Sequence, residues 1–340
     1  MLAAWSLVLG AMVAMQAPAT QAPVRAPQPA SHVLIIAGVG GTPEYEQEFF
    51  DEGIRMADAA RTKYGVPDSA IVFLAEHPSR DPHRIAGPST KAEVQHAFAQ
   101  IAATAKAGDV VFVLLIGHGS ARDTHSLFNL SGPDMSAADV AKMVKPLSAQ
   151  RVAVVNTASA SAEFIPVLSG KNRVIITATK SVLERNETRF AKHFVAAYAG
   201  DGADADKDGR VSLLEAFTYA KREVAREYDA SNQLQSEHAM LDDNGDGKGT
   251  DAPDAHTADG ALAARFFLTA GPATTTIAAA SDPKVAALLR HKDSLEVKID
   301  ALRRRKATMD STAYERELET LLLDLATTNQ TIKQISGGKP

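Results

Sequence analysis

Oxygen-bearing side chains recur between residues 204 and 215 at the spacing that calcium ligation requires. Calcium takes about six to eight hard oxygen ligands, and a loop of about twelve residues can supply them at fixed positions. In DADKDGRVSLLE, Gly209 stands where such a loop turns sharply. The pattern predicts a calcium site whose ligands are Asp204, Asp206, Asp208, the carbonyl of Arg210, Ser212 (through a water) and Glu215.

The segments on either side of this loop have the periodicity of helices. Large apolar residues recur at helical spacing in residues 187–199 and again in residues 212–228. A helix–loop–helix context is what the pattern D-x-D-x-D-G-x5-E requires, and the segment resembles the EF-hand family. Because only one loop fits well, the resemblance implies an ion that braces the fold rather than one that switches it.

A second acidic segment, DDNGDGKGT (242–250), fits the loop pattern less completely. Asp242, Asn244 and Asp246 match the first three ligand positions. The final ligand position is Pro253, which has no side-chain ligand, and no helical pattern follows it. A single-turn calcium or phosphate site and a plain Asn-Gly/Asp-Gly turn both fit, and the missing ligand favours the turn.

Two apolar segments end in residues that could form a catalytic dyad. VVFVLLIGHGS (110–120) ends near His118, and VAVVNTASASAEF (152–164) ends in small and hydroxylated residues. An imidazole can act as the general base for a hydroxyl nucleophile. The chain has no cysteine, which excludes a thiolate nucleophile and disulfides. The candidates are His118 as base, Ser159 as nucleophile, and backbone N–H groups near Gly119 and Ser159 as oxyanion hole.

The order of these segments resembles the caspase–legumain clan of cysteine peptidases over residues 32–270. In that clan one strand ends in His-Gly, and the next strand ends in the nucleophilic cysteine. The cysteine position falls on Ser159, or on Ala158 if the alignment moves by one residue. Ser161 and Phe164 match the residues that follow it. The resemblance implies a peptidase-like fold in which an oxygen stands where the clan has a sulfur.

This replacement predicts impaired catalysis. A thiol has a pKa of about 8.5, so a nearby imidazole readily ionises it, whereas a hydroxyl needs a base held close and oriented by a third group. Clan members also often carry an arginine soon after the first strand, which binds the substrate side chain. Residues 37–50 instead contain Glu44, Glu46 and Glu48 and no arginine, so a pocket for an acidic side chain is not expected.

The elements that must position these residues form an α/β pattern. Helical patterns at 43–63, 90–107, 136–147 and 187–200 alternate with continuous apolar runs, which are typical of strands buried on both faces. We therefore expect a caspase-like, mostly parallel six-stranded sheet covered by helices on both faces, with functional groups at the carboxyl ends of the strands. The six predicted strands are 32–38, 70–76, 110–117, 151–157, 173–179 and 264–270.

The two ends of the chain differ from this pattern. Residues 1–22 hold an apolar run followed by small residues, which predicts a signal peptide. The protein is then exported, periplasmic or extracellular, and anchored if this segment is not cleaved. Residues 23–31 and 271–283 have the composition of linkers. Residues 284–335 predict an α-helical hairpin or coiled coil, which either packs on its own domain or self-associates.

Composition narrows the classes of function. The net charge is −5 with no basic block, which argues against a nucleic-acid partner. The first hypothesis is an exported, catalytically impaired peptidase-like domain that binds calcium and an unidentified protein or peptide. The second is an active serine-type hydrolase, and the third is a calcium-binding α/β module without peptidase ancestry. A metal hydrolase using His118, His125 and His238 lacks a recognised ligand spacing.

Overall fold

A computed structural model describes most of the chain. The described residues are 29–205, 210–268, 283–304 and 309–336. The predicted signal peptide (1–22) and most of both predicted linkers lie outside them, as do the predicted ligands Asp206 and Asp208.

The centre of the fold is a seven-stranded sheet with the order β10-β9-β8-β4-β1-β2-β3. All neighbours in it are parallel except β10, which pairs antiparallel with β9. Its strands are β1 (Ser31–Ala37), β2 (Ile71–Ala75), β3 (Gly87–Pro88), β4 (Val110–Ile116), β8 (Arg151–Asn156), β9 (Arg173–Thr177) and β10 (Met240–Asp242). A small antiparallel sheet holds β5 (Gly119–Arg122), β6 (His125–Phe128) and β7 (Met135–Ser136).

Helices cover both faces of the central sheet, as the continuous apolar runs predict. They are α1 (Pro43–Thr62), α2 (Lys91–Thr104), α3 (Ala137–Val144), α4 (Phe164–Leu168), α5 (Phe190–Ala199) and α6 (Leu213–Ala230). Alternate residues of β1 point to opposite layers: Val33 and Ile35 pack with α1, α5 and α6, and Leu34 and Ile36 pack with α2, α3 and α4. The predicted α/β class with a mainly parallel sheet is therefore confirmed.

The sixth predicted strand, 264–270, is wrong. The chain forms a 3-10 turn at Ala263–Arg265, and Phe267 makes only an isolated bridge with Ser212. The run is apolar because Phe266 and Leu268 are buried in the layer that contains α6. β10 fills the sheet edge beside β9 instead, and the short β3 at the opposite edge is the seventh strand.

Two further helices lie near the C-terminal end: α7 (Pro283–Arg304) and α8 (Ser311–Ser336). They pack against each other, and His291 of α7 lies 3.0 Å from the Asp324 carboxylate of α8. Leu295 and Ile299 are buried, whereas Leu323 of α8 is exposed. In the described ranges no helix has the length and apolar content needed to cross a bilayer.

The packing of α1 on β2 predicts the effect of Gly53→Ala. A Cβ at Gly53 would lie 2.4 Å from Cζ of the buried Phe73, and a buried ring has little room to move. Overpacking costs about 1–3 kcal/mol, and alanine recovers about 1 kcal/mol of helix propensity. We expect a lower urea midpoint for this variant. Gly170→Ala, where the nearest atom is 3.7 Å away, is the matched control; an equal loss in both would contradict the packing explanation.

Candidate functional site

His118 and Ser159 follow adjacent parallel strands of the sheet. β4 and β8 pair in register, with Leu115 opposite Asn156, so both chain segments leave the sheet at the same edge. His118 and Ser159 line one small cleft of ≈ 10 Å³, about the space of a single water molecule. The two candidate residues of the dyad are thus brought together as the sequence predicts.

The imidazole of His118 is held by contacts that the sequence does not reveal. Its Nε2 lies 3.2 Å from the Gly40 carbonyl oxygen, and since a carbonyl only accepts, Nε2 carries the donated hydrogen. The ring centroid lies 4.7 Å from that of Tyr45 and 5.0 Å from that of Phe49, in edge-to-face contacts. These neighbours belong to α1, so the helix that follows β1 orients the candidate base.

The hydroxyl of Ser159 is not oriented to act as a nucleophile. Its Oγ donates to the Gly119 carbonyl oxygen at 2.9 Å, and the residue is buried. Among the described residues no hydrogen bond joins Ser159 to His118. A Cβ at Gly119 would lie 2.1 Å from the Ser159 carbonyl oxygen, so only glycine permits this close approach of the two segments. The hydroxyl proton that a base would need to remove is hydrogen-bonded to a backbone carbonyl.

The Gly119 backbone, which the sequence predicts to contribute to an oxyanion hole, lies beside Ser159. In an antiparallel ladder the N–H and C=O of one residue face the same side. The Gly119 carbonyl faces Ser159, because it accepts the serine hydroxyl. A carbonyl oxygen beside the reacting atom would repel the negative charge that an oxyanion hole must stabilise. Because the Gly119 N–H lies on that same side of the strand, the oxyanion hole stays a prediction.

The segment after β8 is tied down by hydrogen bonds. The Ala158 N–H donates to Asn156 Oδ1 at 3.0 Å, and the Ala160 N–H donates to the Glu184 carbonyl at 2.8 Å. Ala160 has a φ of 52°, in the left-handed region that costs a non-glycine residue energy. The Ser161 hydroxyl lies 3.0 Å from that of Thr179. These contacts fix the position of the intervening Ser159.

Three carboxylates line the same cleft: Glu48, Glu52 and Glu187. The Glu52 side chain is 4% exposed, and its Oε2 has no hydrogen-bond partner. Burial raises the pKa of Glu52 to about 8, and the neighbouring Glu48 adds to the rise. Desolvation and then Glu187 also raise the pKa of Glu48. The sequence signal for Glu52 is its place on the apolar face of α1, between Phe49 and Met56.

A larger groove of ≈ 590 Å³ adjoins this cleft. Glu48, Glu187 and Thr188 line both, so the two spaces share a wall. Leu234, 95% exposed, lies at the groove and offers apolar surface there. A groove of this size is in the range of sites that hold small ligands or short peptide segments.

The described part of the predicted calcium loop has the geometry of a helix start. Ser212 caps α6, and the Glu215 carboxylate accepts the Ser212 N–H at 2.8 Å, the Ser212 hydroxyl at 2.8 Å and the Ala205 N–H at 2.9 Å. Val211 is buried, and the Arg210 guanidinium lies over the Phe267 ring. Glu215 is thus hydrogen-bonded to Ala205, which follows the half-buried Asp204.

The second acidic segment is built as a turn. Asp242 Oδ1 accepts the Gly245 N–H, Asn244 Oδ1 accepts the Asp246 N–H, and the Asp246 carboxylate accepts the Lys248 N–H. These predicted ligands therefore satisfy the backbone of their own loop. The sequence analysis missed the adjacent Asp243, whose carboxylate accepts three backbone N–H groups at 2.7–2.9 Å and ties this loop to residues 260–263.

A separate group brings ligand atoms of Glu46, Glu76 and His77 within 4.8 Å of one another. The Glu76 carboxylate accepts the Gly40 N–H at 3.0 Å. Arg80 lines the same small space and donates to the Glu46 carbonyl at 3.2 Å. Because a fixed guanidinium already places positive charge beside these residues, we assign no metal to them.

The burial of Glu52 predicts a pH dependence of stability. An unfolded glutamate has a pKa of about 4.3, whereas that of Glu52 in the folded chain is about 8. Between these values the folded state holds the extra proton, so the free energy of unfolding falls as pH rises. The prediction is tested by chemical denaturation at pH 5, 6.5 and 8. The free energy of unfolding of Glu52→Gln should rise relative to that of wild type by up to about 1.4 kcal/mol per pH unit.

Asp123→Asn, in the exposed turn between β5 and β6, is the control for this series. Comparing variants at each pH cancels the titration of every other group. A constant difference between Glu52→Gln and wild type across the range would show that the carboxyl ionises normally.

The chain was compared with protein-family models and with curated proteins, and neither comparison gave a match. The geometry of the cleft, the groove and the loop is therefore what bears on function.

Proposed function

We propose that the chain is a catalytically impaired, caspase/legumain-like domain that binds a peptide or protein segment. The observation that carries the proposal is the hydrogen bond from Ser159 Oγ to the Gly119 carbonyl. A serine nucleophile requires an aligned general base, and here the hydroxyl proton is given to the backbone while His118 donates to Gly40. The sequence has no cysteine, so no thiolate can take this role.

The arrangement of the sheet supports the peptidase-like part of this proposal. His118 and Ser159 end neighbouring parallel strands, in the chain order that the resemblance implies. Helices cover both faces of the sheet, and functional groups collect at its carboxyl edge. The small-residue segment 158–162 then stands where the clan has its nucleophile.

The adjoining groove supports the binding part. It is large enough for a peptide segment and shares a wall with the cleft that holds the dyad. Peptidase subsites bind extended chains independently of bond cleavage, so loss of the nucleophile leaves such binding intact. A protein or peptide partner is thus the ligand class that we propose.

One observation favours a second function, a serine-type hydrolase: both members of the dyad line the same cleft. Catalysis would require the Ser159 hydroxyl to leave the Gly119 carbonyl and reach His118. It would also require the Gly119 peptide to turn its carbonyl away from the reacting centre. These two changes separate the hydrolase from the binding domain.

Labelling with a fluorophosphonate probe tests the two functions. We expect no covalent adduct on wild type in intact-protein mass spectrometry, with or without calcium, because the hydroxyl has no base. Ser159→Ala is the control for any background labelling, and Ser161→Ala tests the neighbouring hydroxyl. Adduct formation that Ser159→Ala alone abolishes would establish the hydrolase and overturn the proposal.

We also propose that residues 204–215 bind calcium and brace α5 against α6. The Glu215 carboxylate supports this, because it occupies the last ligand position of the EF-hand pattern and accepts the Ala205 N–H from the start of the loop. The burial of Val211 between the two helices is a second supporting feature. Export, predicted from residues 1–22, and self-association through α7 and α8 remain predictions.

Calcium should therefore stabilise the fold through Glu215. An ion at a hundredfold its Kd adds about 2.7 kcal/mol, which for a domain of this size is a rise in Tm of roughly 5–10 °C. We expect Glu215→Gln to lose most of this rise, measured as the difference between Tm in calcium and in a chelator. Using the difference removes the separate loss of the helix cap. Glu223→Gln on the same helix is the control, and an equal calcium response in both variants would count against the site.

A further inference from the structure

The hydroxyl groups of the cleft present only acceptor lone pairs to a ligand. Thr157 Oγ1 donates to the Leu115 carbonyl at 2.7 Å, Ser159 donates to Gly119, and Thr188 donates to the Thr157 carbonyl. A hydroxyl has a single proton, so each of these three is already used within the protein. These three residues line the cleft and have no hydroxyl hydrogen left to donate.

The charged groups of the cleft also favour a ligand that donates hydrogen bonds. Glu52 lies at its buried side with an unpartnered carboxyl oxygen, and Glu48 and Glu187 lie at its exposed side. Glu187 accepts a hydrogen bond from Tyr45. Of the described residues that line this cleft, only His118 can carry positive charge. A buried polar atom without a partner is costly, so the cleft is built to receive a hydrogen-bond donor, and a cationic one is best.

The size of the cleft selects the kind of cation. Its ≈ 10 Å³ accommodates one water-sized group. An ammonium is a compact point charge with three donors, whereas a guanidinium is a planar fork with about five donors and a larger outline. The cleft therefore fits the end of a lysine side chain better than that of an arginine.

We infer that this cleft receives the ammonium group of a lysine side chain in the peptide segment that the adjoining groove binds. The inference rests on the proposed function and names its preferred ligand. Glu48, Glu187 and Thr188 form the shared wall across which a lysine stem would pass from groove to cleft. The same carboxylates make an acidic substrate side chain unfavourable, in keeping with the absence of arginine from residues 37–50.

The charged groups around Glu52 define how binding couples to protons. They are Glu48, Asp51 and Arg55 on α1 and Lys192 on α5, with His118 and Glu187 lining the same cleft. Lys192 is already paired with Glu227 at 2.8 Å. Burial raises the pKa of Glu52 to about 8, so at pH 7 this carboxyl is mostly protonated. An ammonium that enters the cleft should ionise it and release up to about one proton.

Calorimetric titration with designed peptides tests the inference. The probes are acetylated, amidated pentapeptides of four alanines with lysine, arginine, norleucine or glutamate at the centre, together with a random heptapeptide mixture. At pH 7 we expect the lysine peptide to bind roughly tenfold or more tightly than the norleucine peptide, as for a hydrogen-bonded charge. Titrations in phosphate and in Tris should give different heats, because a proton is released.

Glu52→Gln should remove both the lysine preference and the proton release while leaving norleucine binding unchanged. This variant keeps the shape of the side chain, and Glu48→Gln provides a second substitution at the exposed rim. Asp123→Asn, in the exposed turn between β5 and β6 and outside the cleft and the groove, is the control and should bind as wild type does.

The outcomes separate this inference from the proposed function. If no peptide, including the random mixture, binds to wild type, the proposed function fails and the lysine preference fails with it. If peptides bind without a preference for lysine, only the inference is overturned. Binding of potassium or calcium that Glu52→Gln abolishes, without any lysine preference, would assign the cleft to a metal ion and also overturn it.

Discussion

The burial of β4 on both faces is the constraint on which the rest of the structure depends. All seven of its residues, Val110–Ile116, are buried, because β4 lies between β1 and β8 with helices above and below. A strand in that position cannot carry a polar side chain without a cost. Polar functional side chains can therefore occur only beyond its carboxyl end. There Gly117 allows the chain to turn at a φ of 155°, and His118 follows. The cleft exists because the most deeply buried strand ends there.

The contact between Gly119 and the segment around Ser159 then determines what the cleft can do. It brings a carbonyl within hydrogen-bond distance of the hydroxyl and leaves that hydroxyl oxygen available only as an acceptor. A thiol at the same place would be a weaker donor to a carbonyl and a readier source of an anion. An oxygen at this position therefore gives the cleft an acceptor character, and the neighbouring Glu52 and Glu48 reinforce it.

Much of this fold could be predicted from the sequence, because its elements carry local signals. β1, β2, β4, β8 and β9 are continuous apolar runs, and the start of α2 follows from Thr90, whose side chain accepts the Glu93 N–H at 3.3 Å. Gly87–Pro88 and Met240–Asp242 are too short for such a signal, and they join the sheet through pairing between distant segments. The apolar run 264–270 wrongly predicted a strand, because a segment buried against a helix has the same apolar composition as a buried strand.

The site was predicted in part for the same reason. The order of strands locates His118 and Ser159, but the direction of a hydroxyl depends on which backbone atom lies opposite, and that atom is about forty residues away. The unpartnered Oε2 of Glu52 depends on which other segments enclose the cleft. The local sequence shows only that Glu52 lies on the apolar face of α1, and helical periodicity is enough to identify that position.

Glu215 caps the first turn of α6 and is also a ligand of the proposed calcium site. A carboxylate has about four lone-pair sites, and three hydrogen bonds from Ser212 and Ala205 already use most of them. An incoming cation must therefore compete with the first turn of α6 for the same oxygens. At the proposed site, a stronger helix cap would therefore mean a weaker apparent affinity for the ion.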